Sequence, residues 1–386
     1  MRALRLTISG LVAALALVAC GGGDPDVPGS GSPSGAPTAK GSFTALVTFG
    51  DSLSDIGTYA PATSGLGGKF TTNGTANGNT GTIWVENLAA TMGVTVTPAE
   101  VGFAGTSVKC PVATQVPALA STCTAYGQGG SRVTDPNGIN HSAGALTVPV
   151  VTQIANHLAR FGSFKDSDLI LVYAGNNDVF TQFGAFAAAA AQIQAQAAAG
   201  AITADQANQQ LFAAQTAAFE GMKVAALELA GYVRSQILAN GGKYVAVMTI
   251  SDIADTPLGN SAQVAPARGV LTQLSQIFNL WLRDGLTGAP VQIIDAYAMF
   301  KTATANATAL GFVDVTTPAC SVAKIAALTG NGVTDGSSLF CNVANGLVDG
   351  ASPTTWFFAD SVHPTTGGHK LISDSFTLQL QAFGWL

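Results

Sequence analysis

TALVTFGDS, residues 44–52, is the stretch that decides the fold class of this chain. A short apolar run ends here in GDS, three small or polar residues at the point where a helix should start. Such a run is typical of a buried strand in a parallel sheet. Three further strand candidates are 168–173 (DLILVY), 244–250 (YVAVMTI) and 291–295 (VQIID).

Longer segments with helical patterns lie between these strands. We predict helices at 82–92, 147–161, 265–284 and 366–382, and an Ala/Gln-rich helical pair near 183–240. Residues 203–206 (TADQ) have the spacing of a capping box and predict the start of the second helix of that pair. The alternation of strands and helices predicts an α/β domain with a parallel sheet covered on both faces.

The N-terminus has the pattern of an export signal. Residues 1–19 contain two arginines and then an apolar stretch, and LVAC at 17–20 resembles a lipobox in which Cys20 would be lipidated. A plain signal peptide with a chance cysteine is the alternative. Residues 20–41 contain almost nothing apolar and predict a flexible tether. One domain, 42–386, would follow, in a protein exported and anchored to a membrane or secreted.

Composition narrows the classes of partner. The chain has 386 residues, of which 47% are hydrophobic and 10% charged, and its net charge is -6. Without a basic field the chain does not suit a phosphate backbone, so we expect no nucleic acid partner.

Four cysteines remain after Cys20: Cys110, Cys123, Cys320 and Cys341. An even number in an exported chain predicts two disulfides, with three possible connectivities. We favour Cys110 with Cys123 and Cys320 with Cys341, because each pair brackets a short loop. A zinc site is disfavoured, because no C-x-x-C pair and no nearby histidine occur.

Two polar turns follow predicted strands, and the carboxyl ends of strands border the ligand crevice of an open α/β sheet. Ser52 follows the first strand and Asn177 lies in AGNND, residues 174–178, after the second. Each has a simple alternative, since serine often caps a helix and asparagine often bonds its own turn.

A third polar segment, ADSVHP at 359–364, places Asp360 three residues before His363. A carboxylate on one imidazole nitrogen fixes the tautomer and leaves the other nitrogen to accept a proton from a serine. These are the residue types that nucleophilic catalysis requires.

Taken together, FGDSLSD (49–55), GGS (129–131), GNND (175–178) and DSVHPTTGGH (360–369) resemble the blocks of the SGNH/GDSL hydrolases. FTTNG at 70–74 with WVE at 84–86 is further similar to a bacterial lipase and esterase subgroup. The sequence departs from the family pattern at two positions. The asparagine that often opens the glycine block is absent before Tyr126, and Thr58 stands where many relatives have asparagine. Asp55 we interpret as structural.

The resemblance implies a flavodoxin-like three-layer α/β/α sandwich with a mostly parallel sheet. It implies Ser52 as nucleophile, His363 as base and Asp360 as its orienting partner. The backbone N–H groups of Ser52 and Gly130 and the Asn177 amide would be oxyanion donors, although Gly129 competes with Gly130. No metal and no cofactor are expected.

The function expected is hydrolysis of carboxylic esters by an esterase or lipase, possibly a phospholipase. An acyltransferase using the same site is one alternative, and a catalytically silent, surface-anchored binding protein is another. SVAK at 321–324 fits S-x-x-K of penicillin-recognising enzymes, but the companion motifs are missing, so we interpret it as chance.

Overall fold

The computed structural model describes residues 31–74 and 81–386. A six-stranded sheet forms its centre, with the strand order β2-β5-β1-β6-β7-β8 and all neighbours parallel. These strands are β1 Ala45–Gly50, β2 Thr97–Pro98, β5 Cys123–Ala125, β6 Asp168–Tyr173, β7 Tyr244–Met248 and β8 Gln292–Ile294. A separate antiparallel hairpin joins β3, Glu100–Phe103, to β4, Thr106–Lys109.

Helices cover both faces of the sheet. They are α1 Trp84–Met92, α2 Pro111–Gln115, α3 Val150–Phe161, α4 Asn176–Ala198, α5 Ala204–Tyr232, α6 Pro257–Asn260, α7 Arg268–Gly285, α8 Ala296–Ala305, α9 Val322–Leu328 and α10 Thr366–Ala382. Helix α1 packs on α10, whereas α5 packs on α4 and α7. The three-layer α/β/α fold predicted from the sequence is therefore confirmed.

The central strands are buried, so both faces of the sheet contribute to one core. Strand β6 is buried along its whole length and pairs with β1 from Ala45 opposite Asp168 to Gly50 opposite Tyr173. After β1 the chain adds β2 and β5 on one side of it and then β6 on the other side. This reversal of direction opens a crevice at the carboxyl end of β1, directly before Ser52.

The predicted helical pair is present, and its second helix begins where the capping box predicts. Thr203 Oγ1 accepts the Gln206 N–H at 3.2 Å, and Gln206 Oε1 accepts the Thr203 N–H at 2.8 Å. Two parallel strands, β2 and β5, were not predicted. Each has only two or three residues, too few for an alternation of apolar and polar residues to be visible.

Two disulfides are present, and both have the local pairing that the sequence favours. Cys110 is joined to Cys123 near the β2 edge of the sheet, and Cys320 is joined to Cys341 in the long region between α8 and α10. All four residues are buried.

The structure differs from the predicted tether over residues 32–41, which lie along the domain. The Ser34 N–H donates to the Ala289 carbonyl at 2.8 Å, and the Gly41 N–H donates to the Trp385 carbonyl at 3.0 Å. The Trp385 indole in turn donates to the Pro37 carbonyl at 2.6 Å. Main-chain groups make these contacts, so a composition poor in apolar residues does not reveal them. Residues 1–30, including Cys20, lie outside the described residues.

Candidate active site

Ser52 stands where β1 ends and a single 3-10 turn, Ser52–Ser54, begins. Asp51 caps this turn, because its carboxylate accepts the Leu53 N–H at 3.1 Å. Gly50 is required at the end of the strand, since a Cβ atom there would lie 2.2 Å from the Tyr173 carbonyl oxygen. Glycine and aspartate thus fix the turn that presents Ser52.

A continuous chain of hydrogen bonds joins three of the residues selected from the sequence. Ser52 Oγ lies 2.8 Å from His363 Nε2. His363 Nδ1 lies 2.8 Å from Asp360 Oδ2 and 2.9 Å from Asp360 Oδ1. With a proton on Nδ1, Nε2 is the nitrogen that can accept the hydrogen bond of the Ser52 hydroxyl. The cap role considered for Ser52 is filled instead by Asp51.

Asp360 is buried and well supplied with donors. Its Oδ1 accepts the N–H groups of Val362 and His363 at 3.0 and 2.8 Å, and its Oδ2 accepts the Ser338 N–H at 2.9 Å. Burial raises the pKa of this carboxyl, but the charge of His363 and the hydrogen bonds outweigh it and bring the pKa well below its usual value. Asp360 is therefore ionised in its contact with the imidazole of His363.

The loop that carries Asp360 and His363 is closed on itself. The Ala359 N–H donates to the His363 carbonyl at 2.7 Å, and Phe358 pairs with Pro364 in an antiparallel bridge. From outside the loop, the Leu258 N–H donates to the Ser361 carbonyl at 2.9 Å. A four-residue turn held at both ends explains why a spacing of three in sequence brings carboxylate and imidazole into contact.

Asn177 reaches the glycine block through its side chain. Asn177 Nδ2 donates one of its two amide hydrogens to the Ser131 carbonyl at 2.8 Å. The neighbouring Asn176 Nδ2 donates to Asp51 Oδ2 at 3.0 Å. The first turn of α4 is thereby joined both to the residue after Gly130 and to the residue before Ser52.

The two competing glycines differ in their hydrogen bonds. The Gly129 N–H is occupied, because it donates to Asp55 Oδ2 at 2.8 Å. The N–H groups of Gly130 and Ser52 have no hydrogen-bond partner among residues 31–74 and 81–386. Gly130 has φ +81°, and a Cβ there would lie 2.2 Å from the Ile139 carbonyl oxygen. The geometry therefore favours Gly130 over Gly129 as a donor.

Asp55 holds the same region together, as its interpretation as structural requires. Besides the Gly129 N–H, its carboxylate accepts the N–H groups of Gly57 and Thr58 at 2.9 and 2.7 Å. Asp51, the residue before Ser52, is the second buried carboxyl of this region. Burial raises its pKa to about 6, although Asn176 and Leu53 donate hydrogen bonds to it. These two carboxyls support the turns around Ser52.

Three contributors to this region were not found from the sequence. The ring of Phe70 lies 4.8 Å from the ring of His363 between centroids. Asn73 Nδ2 donates to the carbonyls of Ser338 and Cys341 at 2.9 and 3.1 Å. The Ser338 N–H binds Asp360. FTTNG contains Phe70 and Asn73, so the subgroup resemblance was the one signal for them; Ser338 carried none.

The other histidines have different environments. His369 is buried: its Nδ1 accepts the Trp84 N–H at 3.4 Å and its Nε2 donates to the Phe70 carbonyl at 3.3 Å. Burial lowers the pKa of His369 to about 3. His157 is also buried and stacks on Phe164, and burial lowers its pKa to about 4. Neither ring is hydrogen-bonded to Ser52.

The S-x-x-K match is explained by local structure. Ser321 caps α9 by accepting the Lys324 N–H at 3.3 Å, and the Lys324 ammonium pairs with the exposed Asp349. The lysine is thus directed to the surface and does not activate the serine.

A family model for the GDSL-like lipase/acylhydrolases matches residues 46–376, which includes every block above. The chain belongs to the GDSL-like lipase/acylhydrolase family. A comparison with curated proteins found no match. In the part of this GDSL-family chain that the structure describes, no helix is long and apolar enough to cross a membrane, and no group of three or more His, Cys, Asp or Glu residues could hold a metal ion.

Proposed function

We propose that this protein hydrolyses carboxylic esters through an acyl-enzyme formed on Ser52. The observation that carries the proposal is the unbroken path from Asp360 through His363 to Ser52 Oγ, with 2.8 Å between His363 Nε2 and Ser52 Oγ. A nucleophile, a base and an orienting carboxylate in hydrogen-bond contact are the parts that covalent acyl transfer needs.

The first half of the reaction would build the acyl-enzyme. Ser52 Oγ attacks the ester carbonyl carbon while its proton passes to His363 Nε2, and the carbonyl electron pair moves onto oxygen. Collapse of the tetrahedral intermediate breaks the bond to the alcohol oxygen, which takes the proton from His363. Asp360 stabilises the imidazolium and keeps Nδ1 protonated.

The second half would repeat these steps with water. His363 takes a proton from water as the water oxygen attacks the acyl carbon, and the proton returns to Ser52 Oγ when the acid leaves. In both halves the negative oxygen would accept hydrogen bonds from the Ser52 N–H, the Gly130 N–H and the Asn177 amide. Donors already positioned in the resting protein need no reorganisation when charge develops.

The test is a panel of substrates combined with covalent labelling. We expect purified protein to release acid from p-nitrophenyl esters and to take up one fluorophosphonate, which mass analysis of peptides maps to Ser52. Phospholipids and polyesters in the same panel would define the ester class. A folded protein that hydrolyses none of them and is not labelled would refute the proposal and favour the silent binding protein.

The acceptor of the acyl group is decided in the same assay. Water and an added alcohol compete for the same acyl-enzyme. In a hydrolase, the alcohol therefore lowers the release of free acid only as far as its concentration lets it compete with water. Preferred transfer to the alcohol at low concentration would identify an acyltransferase instead. We propose water as the acceptor.

We further propose that the protein is exported and anchored to a membrane through lipidated Cys20. The support is the signal-like segment 1–19 and the sequence LVAC, in which Cys20 would be the first residue of the mature protein. The two disulfides support it too, because disulfides persist in oxidising compartments. Metabolic labelling with a fatty acid, compared between the natural chain and Cys20→Ser, tests the anchor. Equal labelling of both would refute it.

A further inference from the structure

The two disulfides have different relationships to the proposed base. Cys320 and Cys341 lie in a small buried cluster with Ile325 and Ala359, and Ala359 directly precedes Asp360. Cys123 is the first residue of β5 and pairs with Thr97 of β2, and Cys110 directly precedes α2. The Cys110 N–H donates to the Ala99 carbonyl at 2.7 Å, and the Thr97 hydroxyl donates to Cys123 Sγ at 3.4 Å.

One end of the Cys320–Cys341 disulfide fixes the backbone before Asp360. The Cys320 N–H donates to the Ala359 carbonyl at 2.8 Å, and the preceding Ala319 N–H donates to the Phe358 carbonyl at 2.9 Å. This pair of hydrogen bonds holds the segment before Asp360 against the cystine.

The other end fixes the donor to the Asp360 side chain. Cys341 follows the 3-10 turn Ser338–Phe340 and donates its N–H to the Ser338 carbonyl at 3.0 Å. The Ser338 N–H points the other way and donates to Asp360 Oδ2 at 2.9 Å. The disulfide thus closes a ring that runs from Asp360 through Ser338, Cys341 and Cys320 back to Ala359.

We propose that the Cys320–Cys341 disulfide and the Ser338 N–H are positioning elements that hold the Asp360 carboxylate against His363. Cys320 and Cys341 are 21 residues apart in sequence, so without the bond only non-covalent contacts bring Ser338 to Asp360. The inference rests on the proposed function, since it assigns these groups a part in orienting the base. Neither group touches the substrate.

The main test compares two matched double variants. Cys320→Ala/Cys341→Ala and Cys110→Ala/Cys123→Ala each remove one buried disulfide and should each destabilise the fold. Activity is measured per Ser52 site titrated with fluorophosphonate, so that unfolded protein is not counted. We expect the first variant to lose about tenfold in kcat with KM within about twofold, because a lost hydrogen bond to a charged group is costly. We expect the second to keep kcat within about twofold.

A pair of substitutions at Ser338 tests the donor without touching the disulfide. Ser338→Pro removes the N–H at the first position of a 3-10 turn, where proline is tolerated, and Ser337 already has the extended backbone (φ -50°, ψ 127°) that precedes proline. Ser338→Ala keeps the N–H and should lose much less kcat than Ser338→Pro. This pair decides the matter if the Cys320/Cys341 variant does not fold.

Coupling through Asp360 separates positioning from general damage. In an Asp360→Ala background, Ser338→Pro should cause little further loss of kcat, because the group it positions is gone. Full, multiplicative loss in that background would overturn the proposal. Equal kcat per titrated site in the two disulfide variants would overturn it as well.

A readout without substrate distinguishes failure of this proposal from failure of the proposed function. The low-field proton resonance of His363 Nδ1–H reports its hydrogen bond to Asp360 directly. It should shift or broaden in Ser338→Pro and in the Cys320/Cys341 variant, and stay in place in the Cys110/Cys123 variant. A protein that hydrolyses no ester yet shows this pattern would refute the esterase and keep the positioning role; an unmoved resonance in all variants would refute the positioning role alone.

Discussion

The ring of Phe70 lies against the ring of His363, with 4.8 Å between centroids and 36° between planes. The backbone of Phe70 is held in turn by His369, whose Nε2 donates to the Phe70 carbonyl. The proposed base is therefore supported on one edge by Asp360 and on one face by an aromatic ring.

Loss of this ring should slow the reaction without abolishing it. Aromatic pairs contribute about 0.5–1.5 kcal/mol, so we expect Phe70→Ala to lower kcat by up to about tenfold. Phe161→Ala is the matched control, since it removes a ring 4.9 Å from His157, away from Ser52. Steady-state kinetics on one short-chain ester compares the two. Equal kcat values would show that Phe70 does not support the base.

The Asn177 amide should contribute more than any single aromatic contact. Asn177→Ala removes one proposed oxyanion donor, and we expect kcat to fall by about 10² to 10³. Thr181→Ala is the control, because Thr181 lies one turn further along α4 and its hydroxyl donates only to the Asn177 carbonyl. If kcat of Asn177→Ala fell by less than about fivefold, Asn177 would not be an oxyanion donor.

Asp360 should matter less than His363, because it orients and stabilises the imidazole while His363 transfers the proton. We expect Asp360→Asn to lower kcat by on the order of 10⁴ and His363→Ala to lower it further, by on the order of 10⁶. KM should change little in either variant. Steady-state kinetics on the same ester tests both. An Asp360→Asn protein as active as the natural one would show that another group orients His363.

His157 predicts a pH-dependent term in stability. Its buried ring nitrogens have no hydrogen-bond partner among the described residues, and burial lowers its pKa from 6.5 to about 4. The unfolded chain therefore binds the proton more tightly, and the stability present above pH 6.5 is lost as the pH falls toward 4.

His157→Phe removes this term and keeps a ring to stack on Phe164. The difference in the free energy of unfolding, variant minus natural protein, should be about 2 kcal/mol larger at pH 5 than at pH 7.5, because only the natural protein loses stability as the pH falls. Urea unfolding at the two pH values measures the difference. A difference independent of pH would show that His157 is not kept neutral by the fold.

The sequence predicts well those features that depend on local pattern. Strand β6 and helix α10 have the predicted bounds, 168–173 and 366–382, because an unbroken apolar run and a cap at Thr365 mark their limits. The contact between Asp360 and His363 follows from a spacing of three residues in a turn closed by proline. The position of Asn177 directly after a strand marks it as a candidate site residue, and in the structure its amide donates to the Ser131 carbonyl.

Features that depend on distant main-chain contacts could not be predicted. Ser338 binds Asp360 through its N–H, a group that every residue except proline has, so its identity carries no signal. Residues 32–41 contact Ala289 and Trp385 through backbone groups for the same reason. The resemblance implies Gly130 as a donor, whereas the hydrogen bond that occupies the Gly129 N–H depends on the distant Asp55 and is visible only in the structure.

The central claim is that Ser52 is the nucleophile, and the turnover of Ser52→Ala tests it most directly. Nucleophile and base act as a unit, so we expect kcat for a short-chain ester to fall by on the order of 10⁶. Fluorophosphonate labelling should be lost, while the urea midpoint stays close to that of the natural protein. Activity above about a thousandth of the natural level, or a label that persists at Ser321, would contradict the account.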